Sequence, residues 1–349
     1  KQRADVLEKF AAELEARGAE TAARVSMQNG MPIWLAQQFE AGFPPLLLRY
    51  YSDLMNGAPV EEERQGMLGG VSLVSRQPIG VVGAIVPWNV PQGISFLKIA
   101  PALAAGCTVV LKPAEETVLD AFLMAEAAAA AGLPPGILNV VPGGRDLGAY
   151  LVEHPDIDKV SFTGSTAAGR AIAETCGRLL RPVTLELGGK SAAIVLDDAD
   201  LAGSIESFFG ATLLNNGQIC WLNTRVLAPR SRYTEIVDTI TGLAGALTIG
   251  DPLDPETKIG PLVSSRQRER VEGYIAKGKQ EARLTTGGSR PSSQSRGWFV
   301  EPTVFADVDN NAVISREEIF GPVLSVIPYS DEREAIAMAN DSADRKSVV

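Results

Sequence analysis

Three side chains in this chain of 349 residues stand where covalent or proton-transfer chemistry is conceivable: Cys220, Glu186 and Asn89. Cys220 ends the run Asn216-Gly217-Gln218-Ile219-Cys220, a polar turn after an apolar helix. A lone cysteine is ordinarily a small buried hydrophobe, but one that ends a polar turn has the partial exposure a reactive thiolate needs. Glu186 sits between Leu185 and Leu187 on a strand-like run. Burial there would raise its pKa toward the range of a general base, and an ion pair with a nearby Lys or Arg explains it equally well. Asn89 lies between Pro87 and Pro91 in a loop the two prolines stiffen. It is either a turn residue or a fixed amide donor aimed at a developing oxyanion.

A second group of residues suits a phosphate or a ribose. Gly164-Ser165-Thr166-Ala167-Ala168-Gly169 follows a strand and opens a helix, where backbone N–H groups and the helix dipole can meet an anion, although the spacing is not G-x-G-x-x-G. Lys112 and Glu115 stand at the end of the second strand of the same region. An acid there accepts from ribose hydroxyls and repels a 2′-phosphate, which favours NAD over NADP; two surface charges are the alternative. Gly189-Lys190-Ser191 looks like the end of a P-loop, but Thr184 occupies the position that motif needs for glycine, so that reading is excluded.

Composition narrows the remaining chemistry. The chain has one histidine, His154, read as structural, and three cysteines without C-x-x-C spacing. A His-rich zinc site, a Cys-rich cluster and a disulfide framework are therefore not expected, no metal is assigned, and the cysteine pattern suits a reducing cytoplasm. A net charge of −10 argues against a nucleic-acid partner. No apolar run reaches the ~18 residues of a membrane span.

These residues need a scaffold, and the pattern supplies one. From Gly80 short apolar strands alternate with helix-length segments: strands near 80–87, 107–112, 136–141 and 159–163, helices near 94–105, 117–131 and 146–153. That alternation predicts a doubly wound α/β sheet with its ligand beyond the strand C-termini. A second α/β series follows Gly188, with a helix expected through Asn215. The expected domains are an NAD-binding, Rossmann-like domain over 1–187, carrying an exposed hairpin at about 59–77, and a catalytic domain over 188–343. The first helix starts with no capping residue before it, so the first domain is expected to lack an N-terminal part, and residues 344–349 read as a non-native tail of the kind a sequencing adapter encodes.

Six segments in order make the chain resemble the NAD(P)-dependent aldehyde dehydrogenase superfamily: Pro87-Trp88-Asn89, Lys112-Pro113-Ala114-Glu115, Phe162-Thr163-Gly164-Ser165-Thr166, Leu185-Glu186-Leu187-Gly188-Gly189-Lys190, Gly217-Gln218-Ile219-Cys220 and Glu317-Glu318-Ile319-Phe320-Gly321-Pro322. The resemblance covers nearly the whole chain and implies that the catalytic domain is incomplete at its C-terminus. It implies Cys220 as nucleophile, Glu186 as general base and Asn89 as oxyanion donor. It implies that Trp88, Lys112, Glu115, Gly144, Gly164 and Ser165 line the cofactor site, that Glu318 holds the nicotinamide ribose and that Phe320 lies against the nicotinamide. It further implies an aldehyde substrate, a homodimer or homotetramer, and the 59–77 hairpin as an oligomerisation arm. A CoA-acylating semialdehyde dehydrogenase and a non-catalytic protein on the same scaffold are the competing readings. Val90, Ile94, Phe96, Leu97, Trp221 and Leu222 suit either an apolar substrate tunnel or core packing.

Overall fold

The computed structural model describes residues 2–57, 59–342 and the backbone of 347–348. Residues 344–349, expected to be a foreign tail, lie almost wholly outside the described residues. The chain divides into two compact units, one of residues 1–24 and 37–185, the other of 25–36 and 186–348.

Two helices lead, α1 (Gln2–Ala16) and α2 (Gly18–Asn29), followed by a short turn, α3 (Ile33–Ala36). A turn of π-helix (Gln37–Gly42) then enters α4 (Phe43–Gly57). Pro44 and Pro45 explain the widened turn: neither can donate to the carbonyl four residues back, so the helix loosens before them. The expected hairpin is present as β1 (Glu61–Gln65) paired antiparallel with β2 (Val71–Ser75).

The first unit is built on β3 (Val81–Ile85), β4 (Thr108–Lys112), β5 (Leu138–Val140), β6 (Lys159–Gly164) and β7 (Val183–Leu187), in the spatial order β7-β6-β3-β4-β5. The β3–β4, β4–β5 and β3–β6 pairs are parallel. The crossover helices are α5 (Pro91–Ala105), α6 (Leu119–Ala130), α7 (Arg145–Glu153) and α8 (Thr166–Arg178). Strand order reverses between β3 and β6, which is where a doubly wound sheet leaves a crevice. One face of the sheet, with Val82, Ala84, Val109 and Leu111, packs into a core with Leu7, Phe10, Phe96 and Ile99 from α1 and α5. Phe10 and Phe96 meet with ring centroids 5.4 Å apart, so Phe96 belongs to the core rather than to a substrate tunnel.

The second unit carries β8 (Ala192–Ile194), α9 (Ile205–Thr212), β9 (Arg225–Pro229), α10 (Tyr233–Ala246), α11 (Ser265–Glu281), β10 (Arg283–Thr286), β11 (Thr303–Ala306), α12 (Val313–Arg316), β12 (Val323–Tyr329) and α13 (Glu332–Asn340). Its sheet runs β10-β11-β12-β9-β8, parallel except at β10. Alternate residues serve two cores: Val226, Val304 and Val326 face one, Leu227, Phe305 and Ile327 the other. Burial on both faces explains the unbroken apolar runs of these strands. Arg225 is buried in β9 and donates to Asn310 Oδ1 and to the carbonyls of Met338 and Ala339, which fastens α13 to the sheet.

Candidate active site

In the second unit Cys220 follows a segment whose backbone is left-handed three times in a row, at Asn215 (φ 50°), Asn216 (φ 61°) and Gly217 (φ 74°). The expected helix through Asn215 therefore stops at Thr212. Asparagine tolerates the left-handed region better than other residues with a Cβ, and glycine adopts it freely. Glycine is also required sterically, because a Cβ at position 217 would collide with the Gly321 carbonyl. Asn216 is fully buried and pins the turn: its side-chain amide donates to the carbonyls of Gly30 (2.9 Å) and Pro261 (3.0 Å), and its oxygen accepts from the Gly260 N–H (2.7 Å). The Gln218 side chain accepts from the Val263 N–H (3.2 Å). On this clamped turn Cys220 is partly exposed, as a reactive thiol must be.

Glu186 lies on β7. Its neighbours Leu185 and Leu187 are buried while Glu186 is half-buried, since successive strand side chains point to opposite faces. Glu318 approaches the same strand end so closely that a Cβ at Gly188 would strike its carboxylate. The Glu317–Phe320 segment is held by α11: Gln267 donates to the Phe320 carbonyl (2.7 Å), Arg270 to the Glu318 carbonyl (2.6 Å), and the Tyr274 hydroxyl to the Glu317 carboxylate. Burial and the Glu317 bond push the Tyr274 phenol up to about 12. Phe320 itself has φ 62°, a strained value for a bulky residue, so its backbone is held there by these contacts. The Gly217–Gly321 approach packs this segment on the Cys220 turn.

In the first unit the other expected residues gather at the strand C-termini. Asn89, buried, and Trp88, half-buried, follow β3; Lys112 ends β4; Gly164 ends β6. Ser165 caps α8 by accepting from the Ala168 N–H (3.3 Å). Lys112 is buried and donates to the carbonyls of Pro113 (2.8 Å) and Gly143 (2.6 Å). Desolvation lowers its pKa, opposed by the nearby Glu115 and Glu116. Glu115 is exposed and reaches Gly144, where a Cβ would lie 3.1 Å from a carboxylate oxygen. A cavity of about 230 Å³ beside these groups is lined by Ile85, Val152, Phe162 and Ile172 among others, with Lys112 at its wall. Apolar walls with the Lys112 amine, the nearby Glu115 carboxylate and the N-terminus of α8 offer the donors and acceptors that would fit a dinucleotide.

Comparison with known proteins supplies the family. A profile described as the aldehyde dehydrogenase family matches residues 1–347. The chain belongs to the aldehyde dehydrogenase family. It is 59% identical over 342 residues to a geranial dehydrogenase of Castellaniella defragrans, covering 98% of this chain and 71% of that one. It is 42% identical over 346 residues to a putative aldehyde dehydrogenase of Bacillus subtilis, covering 97% of this chain and 68% of that one. Its fold superposes on a Mycobacterium tuberculosis aldehyde dehydrogenase complexed with NAD+ with a TM-score of 0.95, at 49% identity, covering 98% of this chain and 71% of that one.

Sequence reasoning passed over four parts of this aldehyde dehydrogenase. Lys98 on α5 is buried and donates to Thr163 Oγ1 (2.8 Å) and Ser161 Oγ (3.3 Å), which ties the helix after Asn89 to β6. Gly30 and Pro261 hold the Cys220 turn. The residues of α11 hold the Phe320 segment. Lys190, noticed only as a failed P-loop lysine, is buried without a hydrogen-bond partner for its Nζ among the described residues. Desolvation lowers it to about 7, with Glu318 raising it and Arg225 lowering it. A lysine immediately after a Gly–Gly pair carried the only sequence signal.

Proposed function

We propose that Cys220 is the nucleophile, Glu186 the general base and Asn89 the side-chain oxyanion donor of an aldehyde oxidation that ends in a carboxylic acid. The observation that carries this reading is the packing of two segments in the second unit: the Cys220 turn, locked by Asn216 and Gly217, lies against the Glu318–Phe320 segment. A cysteine-bearing turn packed on the segment expected to face a nicotinamide is what hydride removal from a cysteine-bound aldehyde needs.

The protein is an NAD-dependent aldehyde dehydrogenase. Trp88, Lys112, Glu115, Gly144, Gly164, Ser165, Glu318 and Phe320 would hold the cofactor, with Glu115 favouring NAD over NADP. The chemistry NAD supplies when bound is acceptance of a hydride, which leaves a thioester where a thiohemiacetal stood. The chain's own part begins with Cys220, whose thiolate adds to the carbonyl carbon. The resulting oxyanion accepts from the Asn89 amide and the Cys220 N–H; one such donor is worth about 10²–10³ in rate. Glu186 then takes a proton from water, the water oxygen attacks the thioester carbon, and the Cys220 thiolate leaves.

An apolar aldehyde is the substrate class this reading favours. Support comes from Trp221, exposed beside Cys220, and from similarity to a geranial dehydrogenase. The same reading takes the protein as a cytoplasmic homodimer or homotetramer, the 59–77 hairpin being its oligomerisation arm. Val71 and Leu73 on that hairpin, and Met67 and Leu68 at its tip, are exposed apolar side chains that a partner would cover. The three free cysteines and the net charge of −10 support the compartment and the lack of a nucleic-acid partner.

The test is NADH formation over aliphatic, aromatic and charged aldehydes without CoA. Wild type is expected to turn over and release acid. Glu186→Gln should give at most one equivalent of NADH per site and stall, and Cys220→Ala should give none. Sustained turnover by Glu186→Gln would remove Glu186 from the base role.

A further inference from the structure

One buried acid in the first unit takes no part in the roles above. Glu40 lies in the π turn and is 1% exposed. Its Oε2 accepts from the Gln92 N–H (2.7 Å) and the Gly93 N–H (3.2 Å). These are the second and third residues of α5, the helix that leaves the Asn89 loop. The loop cannot cap this helix itself: Val90 precedes it without a side-chain acceptor, and Pro91 has no N–H. The next donor, the Ile94 N–H, is taken by the Val90 carbonyl (3.0 Å). Glu40 thus satisfies the two N-terminal donors that remain. The Gln92 side chain adds a second tie, donating to the carbonyl (2.7 Å) and carboxylate (3.0 Å) of Asp120 at the start of α6. Gly93 permits the close approach, since a Cβ there would lie 3.0 Å from the Phe39 carbonyl in the π turn.

We propose that Glu40 is a positioning residue for the oxyanion contact, its carboxyl group capping α5 from outside the loop and so holding Asn89 where the thiohemiacetal oxygen forms. This rests on the reading of Asn89 as the donor. Asn89 stands immediately before Val90, and a cap applied two and three residues beyond Val90 fixes the direction in which the helix leaves the loop. The π turn, which the Pro44–Pro45 pair imposes, delivers the carboxyl group to that helix end.

The experiment compares Glu40→Ala, Glu40→Gln, Asn89→Ala and the Glu40→Ala/Asn89→Ala double variant, using the best aldehyde of the panel, at a temperature below the lowest melting point of the set. Asn89→Ala should lower kcat by about 10²–10³. Glu40→Ala should lower kcat by roughly 10-fold or more with the aldehyde KM within about twofold, because the contact exists only once the carbonyl is tetrahedral. Glu40→Gln keeps a carbonyl acceptor for both N–H groups and should restore most of that kcat. The double variant should be no slower than Asn89→Ala. Should Glu40→Ala fail to fold, Glu40→Leu fills the volume without an acceptor and takes its place. A folded Glu40→Ala that keeps wild-type kcat while Asn89→Ala loses it overturns the proposal and leaves the Asn89 reading standing. Multiplying losses in the double variant overturn it likewise. Full kcat in Asn89→Ala removes the reading and the proposal together.

Discussion

The turn before Cys220 is locked by its own residues, whereas the loop around Asn89 takes its anchor from a carboxylate 52 positions before Gln92. In the first case three successive left-handed residues shape the backbone, and the turn itself supplies the side chain that reaches out, Asn216 bonding to Gly30, Gly260 and Pro261. In the second the loop is stiffened by two prolines and has no capping side chain, so a distant acid supplies the missing acceptor. The difference is one of failure mode. A self-locked turn fails when its own residues change shape. A loop with an external anchor responds to the protonation and packing of a group that is nowhere near it in sequence.

Substitutions can break that contrast, and the strongest acts on the self-locked turn. Gly217→Val combines a left-handed φ with a collision against the Gly321 carbonyl. It is expected to destabilise the protein by more than about 4 kcal/mol and to abolish turnover, measurable by urea denaturation and NADH assay. Native stability in that variant would mean the turn is not locked as described. Asn216→Ala comes next. It leaves the Gly260 N–H and the Gly30 and Pro261 carbonyls without their partner, an expected loss of about 2–4 kcal/mol in the same denaturation experiment.

The smallest effects are pH-dependent and differ in sign between the two units. Burial, reinforced by Asp120, raises the pKa of Glu40 well above the ordinary glutamate value, opposed by its bonds from Gly93 and Gln92. The folded state therefore keeps a proton the unfolded chain has lost, and stability falls as pH rises from about 4.5 toward the raised value. Lys190, lowered to about 7, behaves oppositely. Below pH 7 folding must hold a buried ammonium; between about 7 and 10.5 the unfolded chain binds a proton that the folded one does not, so stability rises with pH. Denaturation midpoints measured from pH 5 to 10 should lose the acidic-side fall in Glu40→Gln and the alkaline rise in Lys190→Met. Unchanged profiles in both variants would remove the sign difference.

The elements that position the site were legible because they follow from short-range patterning. Buried parallel strands read as apolar runs, and their crossover helices as periodic stretches between them, so β3 through β6 emerge within a few residues of their bounds. Cys220 was legible for a different reason, since an Asn-Gly-Gln turn ending an apolar helix is unusual chemistry in its own right. Glu186 was legible as a residue but not in its burial, because its setting depends on which face of β7 is covered.

What the sequence alone determined about this protein is the alternation of strands and helices and the identity of the groups able to react, since both are carried by neighbours a few positions apart. What the tertiary structure alone decided is how those groups are held. Asn216 finds Gly30 and Pro261, α11 finds the Phe320 segment, and Glu40 finds the open end of α5, each across a long separation in the chain. Such pairings are set by where packed elements bring orphan donors and acceptors together in a buried place, and a hydrogen bond of that kind leaves no pattern in the residues beside it.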